Sequence, residues 1–183
     1  MTKLISSRIH MASAAVALTG LTSLPVYAQE VSGTVDVTLT LTDACTVNGS
    51  TETSGVDFGA LDFGSQTTLF DQVDGEVESG GGAIEVLCSP GTEPAVAITG
   101  GANDGQGSGD GPFAMSNGTS FVSYALYTDA GRTDELAANE PAPLAGTPDG
   151  TTPQVLELYG RAFGAPGLTA GDYSDTLNVV LTF

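Results

Sequence analysis

The sequence predicts an all-β domain, and three observations carry that prediction. Beyond residue 28 no segment sustains the 3.6-residue apolar period of an amphipathic helix. Short runs of strand-forming residues recur between clusters of Gly, Asp, Asn and Pro, as they do in sandwiches and barrels. The clearest run, Ser32–Thr42, alternates between apolar and polar residues, as side chains do on the two faces of an extended backbone.

The chain opens with an expected export signal over residues 1–28. Lys3 and Arg8 make a positive start, Met11–Leu24 is an apolar run, and Val26-Tyr27-Ala28 forms a small-residue cleavage site before Gln29. That run is shorter than the about 20 residues a bilayer span requires, and no second one follows. The exported chain, Gln29–Phe183, is therefore expected to be soluble, with no direct membrane insertion. Its length suits one domain, long enough to bury roughly 68–70% of the surface of its unfolded chain.

Ser32–Thr42 comes next. Val35, Val37, Leu39 and Leu41 fall on one face and Asp36, Thr38, Thr40 and Thr42 on the other, with Val31 and Gly33 continuing the apolar parity at the leading end. Its 11 residues contain no proline and one glycine, so at roughly 3.3 Å each they can span a whole sheet edge. Periodicity alone favours a place in the chain's own sheet. Further strands are expected at Val56–Phe63, Ala83–Cys88, Ala95–Thr99, Phe121–Thr128, Val155–Phe163 and Tyr173–Phe183. In the last, Tyr173, Leu177, Val179, Leu181 and Phe183 share one parity, which makes the final residue a core residue.

Cys45 and Cys88 are the only cysteines, and an exported chain meets an oxidising compartment, so a disulfide is expected. Ile84, Val86 and Cys88 share a face, which points Cys88 into the core, where it meets Cys45 across two sheets. A zinc site lacks ligands, because the one histidine, His10, lies in the signal.

Two stretches read as surface loops that bury little. Gly100–Gly111 holds six glycines with Asn103, Asp104 and Asp110, and Glu140–Pro153 holds four prolines among small residues. The first offers hard oxygens, yet its spacing fits neither a helix-loop-helix calcium loop nor a repeated Gly-Asp array. The Asn-x-Ser/Thr triplets at Asn48 and Asn117 read as turns. Arg132 is expected to pair with Asp129 or Asp134, and Arg161 to be structural.

Charge and residue types exclude most chemistry. All 22 acids lie beyond residue 28, against Arg132 and Arg161 alone; such a surface repels phosphate backbones, so no nucleic acid is expected. Without histidine or lysine after cleavage, there is no Ser-His-Asp triad, Cys-His pair or Schiff base. "GGGAIEVL" at Gly80–Leu87 runs into a strand and lacks the lysine and helix of a phosphate loop. Neither an enzyme nor a cofactor is expected.

Five motifs then align along the exported chain: "GTVDVTLTLTDACTVNG" from Gly33, "DFGALDFGS" from Asp57, "VSYALYTDAGRT" from Val122, "LYGRAF" from Leu158 and "AGDYSDTLNVVLTF" from Ala170. Together they resemble the spore coat protein U-like family, which includes pilins of archaic chaperone-usher pili. The chain departs from that pattern at "ELAAN" after the "YTDAGRT" motif and at "PFAM" from Pro112. The resemblance implies an immunoglobulin-like β-sandwich lacking its last strand, with residues 29–43 a donor strand and 44–183 the pilin domain. It implies as partners a periplasmic chaperone, an outer-membrane usher and other copies or related pilin subunits, and export through the periplasm to a surface fibre serving adhesion and biofilm formation. Val35, Val37, Leu39 and Leu41 would enter a neighbour's groove by β-strand addition. Leu177, Val179, Leu181 and Phe183 would form the strand that pairs with chaperone or donor. The alternative is a self-complete secreted or coat-associated module that binds carbohydrate or a surface and keeps Ser32–Thr42 in its own sheet.

Overall fold

The computed structural model describes residues 29–80 and 82–183; the expected export signal lies outside the described residues. The chain divides into two units, the first ending at Leu39 and the second running from Thr40 to Phe183. Residues 29–44 carry no strand.

The second unit is all-β. Its strands are β1 (Cys45–Val47), β2 (Ala60–Leu61), β3 (Gln72–Glu78), β4 (Ile84–Cys88), β5 (Ala95–Gly101), β6 (Phe113–Ser116), β7 (Phe121–Tyr127), β8 (Ala142–Pro143), β9 (Gln154–Leu156), β10 (Tyr159–Phe163) and β11 (Leu177–Thr182). They form three antiparallel sheets, ordered β1-β4-β9, β2-β3-β10-β7-β6 and β11-β5-β8. All three contribute to one core: Ile84 and Val86 from β4, Val96 and Ile98 from β5, and Phe113, Tyr124 and Leu126 from β6 and β7. The alternation read in β4 is the observed one, with Ile84, Val86 and Cys88 buried and Glu85 exposed.

Cys45 and Cys88 are bonded, but not across two sheets. They are direct partners on adjacent strands β1 and β4 of the same sheet. Hydrogen bonds from Ser89 N–H to Ala44 O and from Asn48 N–H to Glu85 O make the intervening cysteine pair a non-hydrogen-bonded one. Such a position brings opposed side chains closest.

Several strand expectations shift. Of Val56–Phe63 only Ala60–Leu61 pairs as a strand. Its apolar residues instead lie over a depression made by Gly75 and Gly160, which face each other across β3 and β10. A Cβ on Gly160 would meet Leu61 Cδ2 at 2.5 Å, and one on Gly75 would meet Leu61 Cδ1 at 2.9 Å. Val155–Phe163 breaks in two, β9 pairing with β4 and β10 with β3 and β7. The unforeseen strand β3, "QVDGEVE", alternates half-buried and exposed residues, with acids outward and a glycine at its centre, a composition depleted in strands.

Both expected surface loops bury more than their composition suggests. Gly100–Gly111 begins inside β5 and then lies on β7: Gly109 N–H donates to Ser123 Oγ at 2.9 Å, and a Cβ on Gly107 would collide with that hydroxyl. Ser123 is buried as a result. The glycines are there for close approach. Within Glu140–Pro153, Ala142–Pro143 forms β8 against β5 and Leu144 is buried.

Arg132 does not pair with Asp129 or Asp134. Asp129 caps the turn by accepting from the N–H groups of Thr133 and Asp134. Arg132 instead donates to the carbonyls of Gly160 and Gly75, both at 3.0 Å, and lies 3.3 Å from Asp74. Arg161 reaches the same carboxylate at 2.7 Å and holds it below the usual carboxylate range. Arg132 and Arg161, the two arginines among the described residues, thus converge on Asp74 and tie β3, β10 and the turn after β7. Asn48 and Asn117 sit in turns, their side chains engaged by the backbone or by neighbouring hydroxyls.

A groove between two strand edges

Among the described residues β1 pairs only with β4, and β11 only with β5. Each is the outermost strand of its sheet. Between them lies a groove of about 1010 Å³, with β11 along one side and β1 and residues 52–60 along the other. Ile84, Ile98, Leu126 and Leu158 line its depth, and all four are buried core residues. The core is thus reached directly from the open side, because none of the described strands lies between the two edges.

The β11 wall has the chemistry of a sheet edge. Leu177, Val179 and Leu181 alternate with Asn178, Val180 and Thr182, the first set half-buried and the second exposed. The first set packs against the core yet is not enclosed, since these residues line the groove as well. Phe183 lines the groove too, but it is 55% exposed, so the expectation that the final residue is a core residue does not hold. The strand ends one residue earlier, at Thr182.

One end of the groove is polar. The Tyr124 hydroxyl donates to Asp175 Oδ2 at 2.7 Å, while Asp175 Oδ1 accepts from Ala102 N–H and Asn103 Nδ2. Burial first, then the Asp175 bond and the charges of Asp175 and Asp104, push the Tyr124 phenol well above its ordinary range. An unfolded tyrosine ionises near pH ~10, whereas the folded one keeps its proton. The stability this residue contributes is therefore fully present below pH ~10 and declines as pH rises above it. Thermal unfolding midpoints measured from pH 8 to 11 are expected to fall, and Tyr124→Phe to fall less steeply from a lower starting value; parallel slopes would remove the assignment.

A second hollow of about 520 Å³ is lined by Phe70, Val73, Val122, Leu168 and neighbouring residues. Leu61, Phe63, Met115 and Tyr173 border both spaces. No group of three or more His, Cys, Asp or Glu residues among those described is arranged to hold a metal ion. In the 100–111 loop, Asp104 accepts from Gly101 N–H.

In the N-terminal segment, Val35, Val37, Leu39 and Leu41 are 86%, 88%, 82% and 83% exposed, with Val31 and Gly33 also exposed. The sequence signalled the β11 wall through its parity. On the opposite wall, Val56 and Phe58 line the groove from an irregular stretch, not from the strand expected over Val56–Phe63, and alternation carries no information about such a segment.

An antiparallel β-domain with its core open between two strand edges is the class that fold and site define. The chain belongs to the Spore Coat Protein U domain family, which matches residues 31–180. Among solved structures, it is similar to the crystal structure of the CsuC-CsuE chaperone-tip adhesion subunit pre-assembly complex from archaic chaperone-usher Csu pili of Acinetobacter baumannii. The likeness is 17% in identity with a TM-score of 0.44, over 79% of this chain and 40% of that chain. No curated protein gives a significant match.

Proposed function

We propose that this protein is a structural subunit of a cell-surface fibre built by a chaperone-usher pathway. Residues 29–43 act as the donor strand and 44–183 as the acceptor domain. The single observation that carries the reading is the pairing of opposites within one chain: an apolar groove flanked by two strand edges, and an exposed segment whose alternate residues are apolar. Val35, Val37, Leu39 and Leu41 of one copy fill the groove of another, and the donor backbone hydrogen-bonds to the free edge of β11. Backbone bonds give general affinity and the alternate side chains give register. Burying each of the four contributes roughly 1.5–3 kcal/mol as an upper range.

Before assembly a periplasmic chaperone covers the groove along Leu177, Val179, Leu181 and Phe183, and an outer-membrane usher exchanges it for the donor strand. The product is an extracellular fibre for adhesion and biofilm formation. No cofactor takes part, and chemistry is limited to strand exchange.

Deleting residues 29–41 from the exported chain tests this. The truncated chain is expected to fold, to form no polymer, and to bind a synthetic peptide of residues 29–44 with an increase in its unfolding midpoint. Loss of the isolated fold on deletion, with no rescue by the peptide, would instead support a self-complete module that keeps Ser32–Thr42 in its own sheet.

A further inference from the structure

Asn48 follows β1 directly, next to Val47, which lines the groove. Its backbone is left-handed, with φ at 51°, and Gly49 follows at 76°. Paired bonds between Val47 and Ser50 close the turn. Asparagine and glycine at these positions account for the turn by themselves.

The side chain makes three further bonds that the turn does not need. Oδ1 accepts from Glu85 N–H on β4 at 2.9 Å. Nδ2 donates to the Asp57 carbonyl at 3.0 Å and to Ser79 Oγ, just beyond β3, at 2.7 Å. Both amide donors are therefore used, one on each partner. Asp57 lies in the middle of the irregular wall that carries Val56 and Phe58 into the groove. Among the described residues, the bond from Asn48 is the one hydrogen bond joining residues 53–59 to another part of the chain. The β11 wall, in contrast, is held along its length by β5.

We propose that Asn48 is a positioning residue for strand capture: its carboxamide fixes the irregular wall at the width an incoming strand requires. The inference rests on the strand-accepting role of the groove. Without the amide, the stretch bearing Val56 and Phe58 is held by apolar contacts and by the β2–β3 pairing that begins at Ala60, and a seated strand is enclosed less firmly on that side.

The test uses the full exported chain carrying Leu39→Asp, so that copies do not fill one another's grooves, and a fluorescent peptide of residues 29–44. In this background Asn48→Asp keeps an acceptor for Glu85 and a residue tolerant of the left-handed turn, but loses both amide donors; Asn48→Gly keeps only the turn. Both are expected to release the peptide about tenfold faster, the scale of the one wall bond, to the Asp57 carbonyl, that both variants lose. Asp149→Ala serves as a control for general turn loosening, since Asp149 caps Thr151 and Thr152 away from the groove. It is expected to lower the unfolding midpoint of the peptide-free chain at least as far as Asn48→Asp, with release unchanged. Release from both Asn48 variants at the parent rate, or equal acceleration by Asp149→Ala, would reduce Asn48 to a turn residue. Failure of the Asn48-containing parent to bind the peptide would overturn the groove reading itself, and this proposal with it.

Discussion

Replacing Leu39 with Asp is expected to abolish fibre growth while leaving the subunit folded and able to bind its chaperone. Leu39 is 82% exposed in the free chain, so the substitution removes little packing from the fold. On the proposed donor role, the same position meets the apolar groove lined by Ile84, Ile98, Leu126 and Leu158, which offer a carboxylate neither a hydrogen-bond donor nor a countercharge. An unpaired charge in such surroundings costs several kcal/mol, and the lost apolar burial adds roughly 1.5–3 kcal/mol. Thr38→Asp is the matched control, placing the same charge on the opposite face of the strand. Electron microscopy of cells or of purified assemblies is expected to show fibres for Thr38→Asp and none for Leu39→Asp, at equal yields of chaperone-bound subunit. Fibres at the parental level from Leu39→Asp would sink the donor role.

The features legible in the sequence are those with a strict period. Ile84, Val86 and Cys88 bury on one face, and Leu177, Val179 and Leu181 form one half-buried row, because a strand exposed on one side must alternate. The features that escaped depend on contacts between distant residues. Gly75 and Gly160 look like breaks in their strands, and their purpose appears only when Leu61 and Phe63 are seen lying above them. Gly107 and Gly109 look like flexible loop residues, yet they press on Ser123. Arg132 has two acids close in sequence, but its turn directs it to β3 and β10, where two carbonyls and Asp74 await. A local rule for charge pairing fails whenever a turn spends its own acid on backbone N–H groups, as Asp129 does.

The two walls of the groove differ in how they are secured, and the disulfide bears on the weaker one. β11 pairs with β5 over six residues, whereas β1 has three and pairs only with β4 among the described strands. A three-residue edge strand has few ladder bonds to hold it. The Cys45–Cys88 bond fixes its first residue to the strand beside it, and Cys45 itself lines the groove. Replacing both cysteines with alanine is therefore expected to act twice. Opening a loop with a sequence separation of 43 removes about 4 kcal/mol on the chain-entropy account, which for a domain of this size lowers the unfolding midpoint by about 8–16 °C. Fraying of β1 then leaves only residues 52–60 to bound an incoming strand opposite β11, so the double variant is expected to release a bound donor peptide faster even at temperatures where it is fully folded. Calorimetry and peptide dissociation measured on the same preparation separate the two effects. A midpoint shift below about 3 °C would discount the entropic contribution. An unchanged dissociation rate in the folded range would show that β1 keeps its place without the bond, and that the groove wall depends on packing and on the turn at Asn48.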